Sequence, residues 1–180
     1  MITRNGDWIQ TFTGKQFYPL DPRPEEVCID DIAHSLAMKC RYAGHTRRFY
    51  SVAEHSVHIS YSVPRKHALW GLLHDAAEAY SSDIPTPLKR WPGLQRVWAE
   101  IEGPIQLAIC AKFNLPALEP DEVRIADRRI LVNECLEFMM FMPESLKRIP
   151  PLPKLEGCIG WSPPSAEHEF LRRFEELYRG

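Results

Sequence analysis

No stretch of 18 apolar residues occurs in this 180-residue chain, which excludes a transmembrane helix of the usual kind. The first ten residues, MITRNGDWIQ, contain neither an apolar h-region nor a small-residue cleavage site, so no secretory signal is expected. Charge of one sign is also missing: 22 Lys and Arg stand against 24 Asp and Glu, a net charge of −2. That balance argues against a duplex-binding protein built on a broad basic face. The five cysteines, Cys28, Cys40, Cys110, Cys135 and Cys158, form no CxxC pair, which removes zinc-ribbon and thioredoxin-like readings. Cys110 and Cys135 fall in helical apolar patterns and read as buried reduced thiols. There is no GxxxxGK[ST], no GxGxxG and no GxSxG, so P-loop, Rossmann and serine-nucleophile chemistry lack their motifs. The composition that remains, 44% hydrophobic and 26% charged, is that of an ordinary globular chain, expected to be cytoplasmic and to form one domain over residues 1–180.

What is abundant is proline, 16 residues in clusters at 19–24, 85–92, 143–153 and 163–164. Proline cannot continue a helix and biases its predecessor toward extended backbone, so these clusters punctuate the chain. Between them the apolar period is 3.6 rather than 2. The one strand signal is WIQTFTGKQFYP, a small hairpin over residues 8–19. Helices are predicted from about Asp30 to Tyr42, from a Ser51–Glu54 capping box to just before Pro64, and from Pro64 to Tyr80. Others are predicted from Gln95 to Phe113 with a kink or break at Gly103-Pro104, from Pro120 to Phe141, and from Ser165 to Tyr178. The expected fold class is all-α, a helical bundle with a small N-terminal β-hairpin.

Two places break the apolar pattern. In LLHDAAEAY the pair His74-Asp75 sits inside an otherwise apolar helix, where an unpaired carboxylate is costly. Glu78 follows three residues after Asp75 and four after His74, on the same predicted face. In EVRIADRRIL, Asp127 falls within the stripe of Val123, Ala126, Ile130 and Leu131. A buried carboxylate paired with Arg128 or Arg129 is one explanation. A divalent cation with histidine and carboxylate ligands is the other, because it would neutralise both Asp75 and Asp127. Spacing leaves a further contribution open between His55 and His58, both in AEHSVHIS. Met139, Met140 and Met142, near Phe138 and Phe141, read as core or as a homo-oligomer surface.

The four pieces AEHS at 53–56, LLHDAAEAY at 72–80, DIPTP at 83–87 and IADRRIL at 125–131 together resemble the HD-domain metal-dependent phosphohydrolases. They are closest to the bacterial 5′-deoxynucleotidase branch and the related phage dATP triphosphohydrolases. The resemblance spans residues 30–138 and implies an HD-domain bundle. It implies a metal set of His55, His74, Asp75 and Asp127, with Glu78 and Asp83 as catalytic carboxylates. Lys89 then matches a phosphate contact, and Arg41-Tyr42 matches an Arg-aromatic substrate pair in which relatives carry tryptophan. The dinuclear members of the family need additional histidines between the HD pair and the last aspartate; none occurs between Asp75 and Asp127, and there is no GYP motif. One divalent cation (Mn, Co, Zn, Fe, Ni or Mg) is therefore expected. The implied reaction is attack of a metal-activated water on the phosphorus of a 5′-(deoxy)nucleotide. A triphosphohydrolase acting on a dNTP and a non-catalytic nucleotide- or metal-binding module are the alternatives. The expected partner is a small nucleotide, with neither duplex nucleic acid nor a membrane.

Overall fold

The computed structural model describes residues 4–153 and 160–178, so Cys158 lies outside the described residues. Among these residues the chain is an all-α bundle with a two-stranded antiparallel hairpin near its N-terminal end. The hairpin pairs β1 (Ile9–Gln10) with β2 (Gln16–Phe17), Ile9 opposite Phe17. Two residues per strand cannot hold a hairpin in water, and side chains anchor this one. Phe17 is fully buried and stacks on Tyr80 with ring centroids 3.8 Å apart. The Asp31 carboxylate accepts from the N–H of Thr13 at 2.7 Å and from its hydroxyl at 3.0 Å.

Seven helices follow among the described residues: α1 (Ile29–Met38), α2 (Val52–Ser62), α3 (Arg65–Leu73), α4 (Thr86–Lys89), α5 (Pro92–Lys112), α6 (Asp121–Phe138) and α7 (Pro163–Tyr178). α2 is the hub, packed against α1, α3, α6 and α7. Every residue from Val52 to Ser60 is buried, so its polar side chains must find partners inside the protein. Ser51 caps α2 as expected, its Oγ accepting the Glu54 N–H at 3.0 Å. The second half of the capping box is replaced. The Glu54 carboxylate accepts instead from the N–H of Gly160 at 3.1 Å and of Trp161 at 2.6 Å, tying the approach to α7 onto α2. Gly160 sits at φ +76°, and a Cβ there would lie 2.5 Å from the Phe49 carbonyl oxygen, which makes glycine necessary.

Several predicted boundaries move, each for a tertiary reason. α1 stops at Met38 rather than Tyr42 because residues 39–41 pair with 50–52: Arg41 N–H donates to Tyr50 O at 2.9 Å and Val52 N–H to Lys39 O at 3.0 Å. α3 stops at Leu73 rather than Tyr80, and Ala76–Ala79 form a separate 3₁₀ turn. α5 starts at Pro92 and is unbroken at Gly103-Pro104. α6 ends at Phe138, three residues before Phe141, where Met139 turns extended and the Phe138 carbonyl accepts from Arg47 N–H at 2.9 Å. The short α4 was not anticipated. Phe138 joins the core against Tyr50, while Met140 and Phe141 are exposed. Among the described residues no helix is long and apolar enough to cross a membrane.

The hairpin's single buried ring gives a direct test of its anchoring. Phe17→Ala removes a fully buried aromatic side chain and should lower the unfolding free energy by about 3–5 kcal/mol. Urea denaturation measures it. A loss under about 1 kcal/mol would mean that the hairpin does not belong to the cooperative core.

Candidate metal centre

The centre is built where α2, the end of α3 and α6 meet. On a continuous helix, neighbouring side chains diverge by about 100°. Here the helix breaks between them: His74 still has helical angles, but Asp75 moves to φ −99°, ψ 13°. The two side chains therefore converge, His74 Nε2 lying 3.2 Å from Asp75 Oδ2. Gln106 of α5 takes up backbone groups that the break releases. Its Nε2 donates to Leu73 O at 2.9 Å, and its Oε1 accepts from Ala77 N–H at 3.3 Å. Lys39 holds the turn from the other side, its ammonium donating to Ser35 Oγ at 2.6 Å and to the carbonyl of Glu78 at 2.7 Å.

His55, fully buried on α2, completes a cluster with His74 and Asp75 whose donor atoms all lie within 4.8 Å of one another, close enough to share one metal ion. The two imidazole Nε2 atoms are 3.2 Å apart, and His55 Nε2 is 3.6 Å from Asp75 Oδ2. Asp127, from α6, brings Oδ1 to 3.2 Å from His55 Nε2 and 3.9 Å from His74 Nε2. His58 does not join them. It is buried against Trp161, with its Nε2 3.5 Å from Glu54 Oε1.

The donor chemistry suits a cation. The Nδ1 of His55 lies 2.6 Å from Glu134 Oε1, and the Nδ1 of His74 lies 2.8 Å from Gly71 O. Both partners are acceptors, so both Nδ1 atoms carry the proton in the neutral rings, and both Nε2 atoms present lone pairs. Two lone pairs and two carboxylate oxygens thus face one another, an arrangement that only positive charge relieves. Without a metal that charge is a proton. Burial opposes the His74 cation, but Asp75 and Asp127 outweigh it and push its pKa up to about 9. Burial likewise opposes the Asp75 anion, yet His74, His55 and Arg41 hold its pKa well below the usual carboxylate range.

A cavity of about 420 Å³ opens beside the cluster, bordered by Arg41, Tyr42, Asp75, Glu78, Asp83, Lys89 and Asp127, with Ile84, Leu131 and Leu146 among its apolar walls. Glu78 lies on the 3₁₀ turn, not on the α3 face predicted for it, and is buried. Burial first, then Asp75 and Asp83, raise its pKa to about 8 against the pull of Lys89. Lys89 Nζ bridges Glu78 Oε1 at 3.0 Å and Glu102 Oε1 at 3.1 Å. Asp83 follows Ser82, which is held at φ +143°. Arg41 and Tyr42 border the cavity but are turned inward. Arg41 Nη1 is 3.5 Å from Asp75 Oδ2, and the Tyr42 hydroxyl donates to Glu134 Oε2 at 2.6 Å. A second cavity of about 410 Å³ shares Asp75, Lys89 and Asp127 with the first and also meets His74, Glu102, Gln106 and Glu119.

Glu134 is the residue that sequence reasoning missed. It lies seven residues after Asp127 and four after Ile130, on the same apolar face of α6, so the argument that singled out Asp127 applies to it equally.

These shifts give a pH dependence for metal-free protein. His74 binds more protons folded than unfolded between its ordinary 6.5 and about 9. Glu78 does so between its ordinary 4.5 and about 8. In both cases the stabilisation is present at the low-pH side and lost as pH rises through the folded value. In chelator the urea midpoint should fall from pH 6.5 to pH 9, and added Mn²⁺ should flatten the fall, since a coordinated His74 cannot hold the proton. A chelated midpoint that is level or rises over that range contradicts the geometry.

No family model matches the chain. Curated relatives do. The Escherichia coli (strain K12) protein named "Uncharacterized protein YfdR" is 38% identical over 174 residues, covering 94% of this chain and 95% of its own length. An uncharacterized protein of Rhodobacter capsulatus is 34% identical over 128 residues, 66% of this chain and 64% of the relative. With more than a third of positions shared along nearly the full length of both chains, this protein belongs to the family of Escherichia coli YfdR.

Proposed function

We propose that this chain is an HD-domain metal-dependent phosphohydrolase acting on 5′-(deoxy)nucleotides. The observation that carries the reading is the convergence of four electron-rich donors, from His55, His74, Asp75 and Asp127, beside a cavity that Asp75 and Asp127 line together with a proton-retaining Glu78. A divalent cation in that position supplies Lewis-acid polarisation of a phosphoryl oxygen and lowers the pKa of water. The protein's own groups supply the rest. With its pKa at about 8, Glu78 keeps its carboxyl protonated at neutral pH. Its Oε2 is buried without a hydrogen-bond partner among the described residues. That oxygen is suited to deliver a proton to the departing 5′-oxygen, the task of a general acid. Lys89, fixed between Glu78 and Glu102, holds positive charge at the cavity wall, where it offsets charge on the phosphate. Asp83 is suited to orienting the attacking water. The inward-turned Arg41 acts on the phosphate only from behind Asp75.

Volume and charge favour a monoester. A cavity of about 420 Å³ is within the range of small-molecule sites, and its apolar side offers a base a surface to pack on. The adjoining cavity, which shares Asp75, Lys89 and Asp127 with the first, adds Glu102 and Glu119, and its excess of carboxylates over the one lysine disfavours a polyphosphate tail. Incubation with each dNMP and dNTP, with products resolved by chromatography, should yield orthophosphate from dNMPs. Triphosphate released from a dNTP, with dNMPs untouched, would replace this reading with the triphosphohydrolase one.

The acid role has its own test. Glu78→Gln keeps the shape of a protonated glutamate but has no acidic proton. Its metal content and nucleotide affinity should stay near wild type while kcat falls by about 10²–10⁴. Unchanged kcat removes Glu78 from the chemistry; loss of metal would make it a ligand.

A further inference from the structure

We propose that Glu134 is a positioning residue of the metal centre: a single buried carboxylate that holds His55 with its Nε2 lone pair toward the cation and, through Arg41, holds Asp75 in place. This rests on the metal-centre reading above and extends it to a residue behind the donors.

The Glu134 side chain has no exposed surface, and its two oxygens serve different sets of partners. Oε1 accepts from His55 Nδ1–H at 2.6 Å and from the Tyr50 hydroxyl at 2.9 Å. Oε2 accepts from the Tyr42 hydroxyl at 2.6 Å and from Arg41 Nη2–H at 3.4 Å. An ionised carboxylate only accepts. With the Arg41 guanidinium and two tyrosine hydroxyls as its other donors, Glu134 presents His55 with an acceptor. Neutral His55 must therefore carry its proton on Nδ1, which leaves Nε2 as the free donor facing His74, Asp75 and Asp127. Glu134 contacts His55 through Nδ1, away from that convergence, so it acts through the ring rather than as a ligand.

The path to Asp75 is equally short. Arg41 Nη2 contacts Glu134 while Nη1 contacts Asp75 Oδ2, so the guanidinium spans the two carboxylates. The backbone that presents these donors is strained, with Tyr42 at φ +55° and Ala43 at φ +52°, ahead of Gly44. Left-handed angles carry a steric cost at each non-glycine residue. A turn that carries this cost twice, with both adjacent side chains ending on Glu134, fits a site that Glu134 organises. His74 obtains the same tautomer from a backbone oxygen, Gly71 O, which a side-chain substitution leaves in place. It is an internal control.

The test uses the full chain loaded with Co²⁺, because paramagnetic shifts resolve the exchangeable imidazole N–H of each coordinated histidine. Wild type should show two protected N–H signals, one from His55 and one from His74. In Glu134→Gln and Glu134→Ala, Co²⁺ affinity by chelator competition should fall about 10–100-fold. The His55 N–H signal should be lost or shifted in both, while the His74 signal persists. Wild-type affinity with both signals unchanged in folded Glu134→Gln would overturn the proposal. So would a wild-type spectrum without the protected His55 signal, a result that needs no variant to fold. Absence of Co²⁺ binding by wild type would instead sink the metal-centre reading and this proposal with it. A wrong choice of nucleotide substrate would leave all these readouts untouched.

Discussion

Burying an ionised carboxylate without access to water costs several kcal/mol unless its lone pairs are met by donors, and Glu134 imposes that requirement at the heart of this protein. Its four donors come from three separate stretches of chain: Arg41 and Tyr42, Tyr50, and His55. Satisfying them explains much of what surrounds the centre. The chain leaves α1 early so that residues 39–41 can pair with 50–52, and that pairing brings Arg41, Tyr42 and Tyr50 to the same side. The strained turn at 42–44 aims the tyrosine back into the protein. α6 must present Glu134 to α2, and the same face then presents Asp127 about two helical turns away.

The second constraint is the break after Leu73. A continuous helix would bury an apolar stripe more simply, but it would point His74 and Asp75 in different directions. Breaking it brings their donor atoms to 3.2 Å. The freed backbone groups are recovered by Gln106 from α5 and by the ammonium of Lys39, just past the end of α1. Local regularity is thus given up where the cluster needs it, and the loss is made good by side chains from elements that have no sequence proximity to the break. The break also relocates Glu78 to a 3₁₀ turn, where its Oε1 accepts from Lys89 at the cavity wall.

Electrostatics links the two constraints. His74, Asp75, Asp127 and Glu78 form one coupled field in which every carboxylate raises the demand for positive charge. Protons meet that demand in the absence of metal: Asp75 and Asp127 push His74 upward, burial and then Asp75 and Asp83 push Glu78 upward, and Asp75 stays ionised. A divalent cation meets it with more charge in less space. Competition between proton and metal is therefore built into the donor set.

The amino-acid sequence by itself determined the all-α class, the hairpin, the cap at Ser51, and the anomaly of His74-Asp75 and Asp127 inside apolar stripes. These follow from periodicity, which reports locally which face of a helix is buried. Spacing left His55 and His58 open and only the resemblance carried by AEHS favoured His55; the geometry brings His55 to His74 and Asp75. Tertiary structure alone decided where α1 and α3 end, that Arg41 and Tyr42 turn inward, and that Glu134 stands behind His55. The partners involved lie 79 to 93 residues apart in the chain, and no local pattern encodes which distant donor a buried polar group will meet. That choice depends on how α2, α3 and α6 pack, because only their contact brings the charges within hydrogen-bonding range.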